Sequence, residues 1–280
     1  MSTPRHSHGA MRDRGATPRD LPSRSFRFSR CLPALLVLLG AAVLPAQETP
    51  PEHPLVPAIR LAQESLQALS SVRDYQATFT KREWVGTQFV AQQMAMKLRE
   101  QPFSVYLHYD KPNAGREILF VQGRNQNKLL AHEGSGLKSL VGTISLAIDD
   151  ESVKAENRHP ITDMGMRRMV QLLIEQWEYE SKYGEIDAKY YPDARIGNQL
   201  CEAVEATHPR PRKQFRYHVT RLYLDKKTRF PIRIENYGFP RTENETPPLI
   251  EEYTFSDVRV NLGLTDADFD TRNPAYSFSK

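Results

Sequence analysis

Apolar and polar residues alternate with period two in run after run of this chain, and most gaps between the runs hold only turn residues. Asp74–Val85 places Tyr75, Ala77 and Phe79 on one face and Gln76, Thr78 and Thr80 on the other. Phe89–Glu100 sets Met94, Met96 and Leu98 opposite Lys97 and Arg99, and Phe103–Tyr109, Glu117–Gln122 and Lys128–His132 follow. After an interruption the pattern resumes over Tyr183–Tyr191, Gln199–His208, Phe215–Leu224, Phe230–Tyr237 and Leu249–Val260. Such alternation marks strands with one face buried. Connections such as Lys111-Pro112-Asn113, Gly123-Arg124-Asn125 and Asp225-Lys226-Lys227-Thr228 are too short for a crossover helix, so the strands must run antiparallel. A sheet of about ten strands curls strongly.

Two stretches carry the helical period instead. Leu55, Ile59, Ala62, Leu66, Leu69 and Val72 predict a helix over about Val56–Ser71. Met166, Met169, Val170, Leu173, Ile174 and Trp177 predict a second over about Asp163–Glu180, with Thr162 or Asp163 as its N-cap. This second helix follows the glycine-punctuated stretch Gly134–Asp150, with a strand at Thr143–Ile148, and reads as a movable lid. The expected fold is α+β, mainly β: a single curved antiparallel sheet forming an open half-barrel of about ten to eleven strands. The N-terminal helix and the middle lid helix cover it.

The first 46 residues set the compartment. A basic segment rich in arginine precedes the apolar run Cys31–Ala46, and a polar stretch, Gln47-Glu48-Thr49-Pro50, follows it. This is the build of a secretory signal peptide. The run is shorter than the roughly 20 residues a spanning helix needs, so cleavage after Ala46 is expected, with an uncleaved anchor as the alternative. Met11 is a second candidate start. The domains are then a signal peptide over 1–46, a disordered Pro-rich tether over 47–57 and one folded domain over 58–280. The expected location is periplasmic or extracellular. The leader holds seven Arg and two Asp of the chain's 38 basic and 34 acidic residues. The basic excess therefore belongs to the leader, and a nucleic-acid partner, which would need that excess on the folded part, is not expected.

No catalytic or metal motif stands out past the leader. Cys201 is the one cysteine of the mature chain and sits in an alternating apolar stretch, as a buried thiol does. Asp266, Asp268 and Asp270 have calcium-loop spacing, but Thr271 replaces the glycine at the sixth position and Ser277 the glutamate at the twelfth. Asp149, Asp150, Glu151, Glu156, His159 and Asp163 read as a solvated loop before a helix. Arg82-Glu83 and Arg116-Glu117 each set opposite charges on opposite faces, so one member of each pair can point inward, to hold a polar head or pin the lid, with ordinary salt bridges at the rim as the equal alternative. The basic loop His208–Lys213 reads most simply as solvated, with a peripheral contact to anionic membrane lipid as the alternative.

Several segments resemble a secreted bacterial family known as domain of unknown function 1571: Lys81-Arg82-Glu83, Pro102–Tyr106, Gly115-Arg116-Glu117, Asn127–His132, His159-Pro160-Ile161-Thr162 and the tail Tyr253–Asn261 with Gly263–Asp266 and Asp268–Asp270. The layout is similar to the LolA/LolB and RseB group of lipoprotein carriers and sensors. That resemblance implies an apolar-lined half-barrel lidded by helices and assigns no residue roles. The functional expectation is an exported, non-enzymatic, monomeric binder of an apolar ligand, without cofactor or metal. A lipid or lipidated protein of the cell envelope is the expected partner. The expected ligand-facing residues are Tyr75, Phe79, Met94, Met96, Leu98, Met166, Met169, Leu173, Trp177, Phe230, Ile232 and Ile234. The alternative is an envelope interaction or sensor module with a filled core.

Overall fold

A computed structural model describes residues 52–242 and 244–278. The expected signal peptide and the start of the expected tether lie outside the described residues. The tether's end does not: helix α1 spans Leu55–Ala68, so residues 55–57 form its first turn. Proline suits that position, where backbone N–H groups have no intrahelical partner, and Leu55 is fully buried there. The prolines predict disorder here, but Leu55 beside them buries its side chain and brings the stretch into the helix.

Among the described residues eleven strands form one antiparallel sheet. They are β1 (Asp74–Val85), β2 (Gln88–Arg99), β3 (Ser104–Lys111), β4 (Glu117–Val121), β5 (Leu129–His132), β6 (Ile144–Leu146), β7 (Asp187–Ile196), β8 (Gln199–Thr207), β9 (Val219–Asp225), β10 (Pro231–Tyr237) and β11 (Leu249–Val260). Their order is β6-β5-β4-β3-β2-β1-β11-β10-β9-β8-β7. Two meanders therefore meet along one long-range seam, where β1 pairs with β11. The two ends of the sheet, β6 and β7, do not pair, so the half-barrel stays open. Register shifts at Gln76/Thr78, Gln93/Met94, Tyr191/Ala194, Pro231/Arg233 and Asn236/Tyr237 supply the bends such a sheet needs.

The inner face packs on α1 and on α3, which spans Met166–Glu180. Tyr75, Met94, Leu98, Leu222 and Phe255 share one core with Ala58 and Ala62 of α1 and with Val170 and Trp177 of α3. The outer face has a cover of its own. Tyr106, Leu119 and Val121 pack against Phe269, Tyr276 and Phe278 of the C-terminal tail, with the Tyr106 and Tyr276 rings stacked 3.9 Å apart.

Between β5 and α3 lie a 3-10 turn at Leu137–Val141, β6, the short helix α2 (Glu151–Lys154) and a second 3-10 turn at Ile161–Asp163. The N-cap of α3 is Gly165, not Thr162 or Asp163. The Tyr75 hydroxyl takes over the capping role by accepting from the Met166 amide at 3.0 Å, and Asp163 pairs with Arg168. Strand β7 begins at Asp187 rather than Tyr183. Tyr183 lies in the turn after α3, where its carbonyl meets the His53 ring at 2.7 Å.

Candidate functional site

The inner face of β1 changes chemistry along its length. Tyr75, Ala77 and Phe79 are apolar, but Lys81 and Glu83 keep the same phase and are 4 % and 1 % exposed. Strand β11 mirrors the change in register, with Phe255 opposite Phe79, Tyr253 opposite Lys81 and Glu251 opposite Glu83. Asn236 of β10 faces Glu251. One end of the inner face is thus a buried polar patch, and buried charges persist only when they are paired and hydrogen-bonded.

The partners come from the segment that leads into α3. Lys81 Nζ lies 3.1 Å from Glu83 Oε1 and donates to the Glu156 carbonyl at 2.9 Å and to Asn157 Oδ1 at 2.5 Å. Glu83 also accepts from the Arg158 amide at 3.2 Å and from the Tyr253 hydroxyl. Glu251 accepts from Tyr217 at 2.6 Å, Asn236 at 2.8 Å and Arg158 Nε at 2.9 Å, and His159 Nε2 lies 3.0 Å away. Burial opposes the charge of Glu251, but the bond and charge of His159, with Tyr217 and Asn236, outweigh it and hold its carboxyl at about 2. Burial and then the two neighbouring carboxylates push the Tyr253 hydroxyl up, and burial pulls Lys81 down. Arg116, the first residue before β4, reaches Glu156 at 2.6 Å and Glu133 at 2.8 Å. Glu83 and Arg116 are therefore the inward members of their charge pairs, and both pin the segment before α3. Their sequence neighbours point outward: Arg82 pairs with Glu252, and Glu117 accepts from Tyr106.

A cavity of about 510 Å³ opens beside this patch, between α3 and the sheet. Phe79, Met164, Met169, Leu173, Ile234 and Phe255 line its apolar side, and Lys81, Glu83, His159 and Glu251 its polar side. A second cavity of about 260 Å³ lies toward β3–β6, lined by Met94, Leu107, Leu129 and Leu146. Lys81, Asn157, His159 and Met164 border both.

The residues expected to face a ligand divide among several places. Phe79, Met169, Leu173 and Ile234 line the larger cavity and Met94 the smaller. Tyr75, Leu98, Met166 and Trp177 are at most 1 % exposed and fill the core around α3, with Met96 beside them. Ile232 does not join Ile234 in the inner core, and Phe230 packs only against that core's edge. The register slips between Pro231 and Arg233, and both line an open hollow with Gln76, Thr78 and Arg259. Lys81, Glu251 and Tyr253 carry no motif that marks them as site residues in the sequence, whereas Glu83 stands there only as one member of a charge pair and His159 only as part of a solvated loop. Their signal is phase: Lys81 and Glu83 continue the buried positions of β1, as Glu251 and Tyr253 do those of β11.

The remaining motifs have structural partners. Asp266 pairs with Arg99 and Arg124, Asp268 with Lys97 and Asp270 with Arg272, around a buried Phe269. Cys201 is buried, which pushes its thiol up. His208 is buried rather than solvated and stacks on Phe215 at 3.7 Å. Among the described residues no group of three or more His, Cys, Asp or Glu is placed to hold a metal ion. No helix among them is long and apolar enough to cross a membrane.

An open antiparallel half-barrel, with helices over its inner face and a cavity beneath one of them, is the class this geometry defines. The chain belongs to the family described as protein of unknown function DUF1571, whose profile matches residues 72–278. No curated protein matches the chain. Among solved structures it is similar to the lipoprotein LppX of Mycobacterium tuberculosis, with 11 % identity over 74 % of this chain and 98 % of that one, at a TM-score of 0.42. It is also similar to LprF of Mycobacterium bovis, with 12 % identity over 74 % and 94 % at 0.40. The MucA/MucB complex of Pseudomonas aeruginosa gives 13 % identity over 76 % and 60 % at 0.37.

Proposed function

We propose that the protein is an exported, non-enzymatic binder of an amphiphilic ligand, a lipid or the acyl chain of a lipidated protein, in the cell envelope. The observation that carries this reading is the cavity of about 510 Å³ beside α3. Its size falls in the range of small-molecule sites, and a mainly apolar lining with a few convergent polar groups is what such sites share. Met164 and Met169 suit ligands of varied shape, because methionine is unbranched and polarisable. The polar wall suits the head of an amphiphile. Both oxygens of Glu83 and of Glu251 are already engaged by donors, which favours a wall and latch over a free catalytic base.

Titration with fatty acids of increasing chain length tests the reading. Each CH₂ moved from water into the cavity contributes about 0.8 kcal/mol, so affinity should climb steeply until the cavity is full. Met169→Glu should abolish binding while the protein stays folded. Absence of binding, or affinity indifferent to chain length, would favour the filled-core interaction module, for which the packing of Tyr75, Leu98, Met166 and Trp177 speaks.

A further inference from the structure

Leu137, Leu140 and Val141 are 85, 82 and 69 % exposed, more than any other large apolar side chain described. All three belong to the 3-10 turn Leu137–Val141 between β5 and β6. Gly136 and Gly142 bracket the turn at φ 78° and 77°, with open space where a side chain would begin. The base of the turn is tied down: Thr143 Oγ1 donates to the Phe278 carbonyl at 2.6 Å, and β6 starts at Ile144. The tip is thus held out from the body by an anchored stem.

We propose that this turn is a membrane-contact element whose three aliphatic side chains enter the surface of a lipid bilayer. Shape is the first argument. The turn is a protrusion of aliphatic side chains, and a fluid bilayer receives such a tip without shape complementarity. Protein partners instead favour packed aromatic and arginine anchors. Charge is the second. Gly134–Ile148 contains Lys138 and no Asp or Glu, so nothing in the segment repels anionic headgroups. Position is the third. Val141, Gly142 and Ile144 also line the smaller cavity, so a tip sunk into the headgroup boundary sets that cavity's mouth against the acyl chains. The proposal goes beyond the ligand reading and does not require either cavity to be filled.

Flotation with phosphatidylethanolamine–phosphatidylglycerol vesicles tests it on the compact unit Pro50–Lys280, which contains both apolar cores. The unit should float with the vesicles, and Leu137→Ser/Leu140→Ser should lower its partitioning by about tenfold with no change in thermal unfolding. Equal flotation of the two proteins, or none by either, overturns the proposal. So does a double variant that changes only self-association in sedimentation. Fatty-acid titration without vesicles keeps the two readings apart. It should be unchanged in the double variant, and its failure alongside intact flotation counts against the larger cavity alone.

Discussion

The Lys81 ammonium and the Glu83 carboxylate lie 3.1 Å apart on the same face of β1, and both are almost fully buried. Residues two apart on a strand share a face, so one strand presents both charges to the segment before α3. A pair this deep in the protein attaches that segment at a fixed register.

Removing one partner leaves the other charge buried. Lys81→Met should destabilise the fold by about 3–5 kcal/mol, read as a shift in urea midpoint. Lys81→Met/Glu83→Gln should cost less than the sum of the two single changes, because neither orphaned charge remains. Additive losses would mean that the two residues are not coupled.

Glu251 gives the fold an acid limit. Its carboxyl is held at about 2 against an ordinary 4.5. A depressed folded-state value stabilises the protein above the unfolded pKa, and that contribution disappears as pH falls from about 4.5 toward 2. The shift corresponds to roughly 3 kcal/mol. Urea denaturation at pH 7, 4 and 3 should show the loss, and Glu251→Gln should flatten it. A variant with the same acid slope as the parent would assign the transition to other carboxylates.

Gly165 is required by both backbone and space. Its φ is +105°, and a Cβ there would meet Leu98 Cδ1 at 2.7 Å and the Tyr75 hydroxyl at 3.0 Å. Gly165→Ala should cost about 2–3 kcal/mol and displace the start of α3, visible as a lower melting temperature. An unchanged melting temperature would show that the junction yields.

Hydrogen exchange should rank the insertion. The backbone from Gly134 to Val141 has few buried apolar contacts, whereas α3 buries Met166, Val170, Leu173 and Trp177. Amides of the former should exchange well before those of α3 and β1. If α3 exchanged as fast as the 137–141 turn, the whole helix would be the moving part.

The strands and the antiparallel sheet were legible because period-two alternation and short turns are local signals. Helix α3 was legible within a few residues, but its N-cap was not, because the capping hydroxyl of Tyr75 is distant in sequence. The apolar half of the site was read from the phase of Phe79, Met169 and Ile234. The polar half was hidden for a different reason. Lys81 looks like a solvated strand residue, and Glu83 like either member of a charge pair, until β11 brings Glu251 and Tyr253 alongside. Ile232 was misplaced because a register slip leaves no mark in the hydrophobic pattern.

The strand order has a consequence for how the chain could be rewired. Reading across the sheet from β7 gives β8, β9, β10, β11, then β1 to β6. Every neighbouring pair except β11 and β1 is already consecutive in the chain. A circular permutant joined from the C-terminal tail to α1 and opened before β7 would run through the sheet in its spatial order, with only the tail and α1 between β11 and β1. The seam that now waits for the two ends of the domain to find each other would become a local event, with less loop-closure entropy to overcome. Such a permutant should fold faster than the natural chain into the same eleven-stranded sheet.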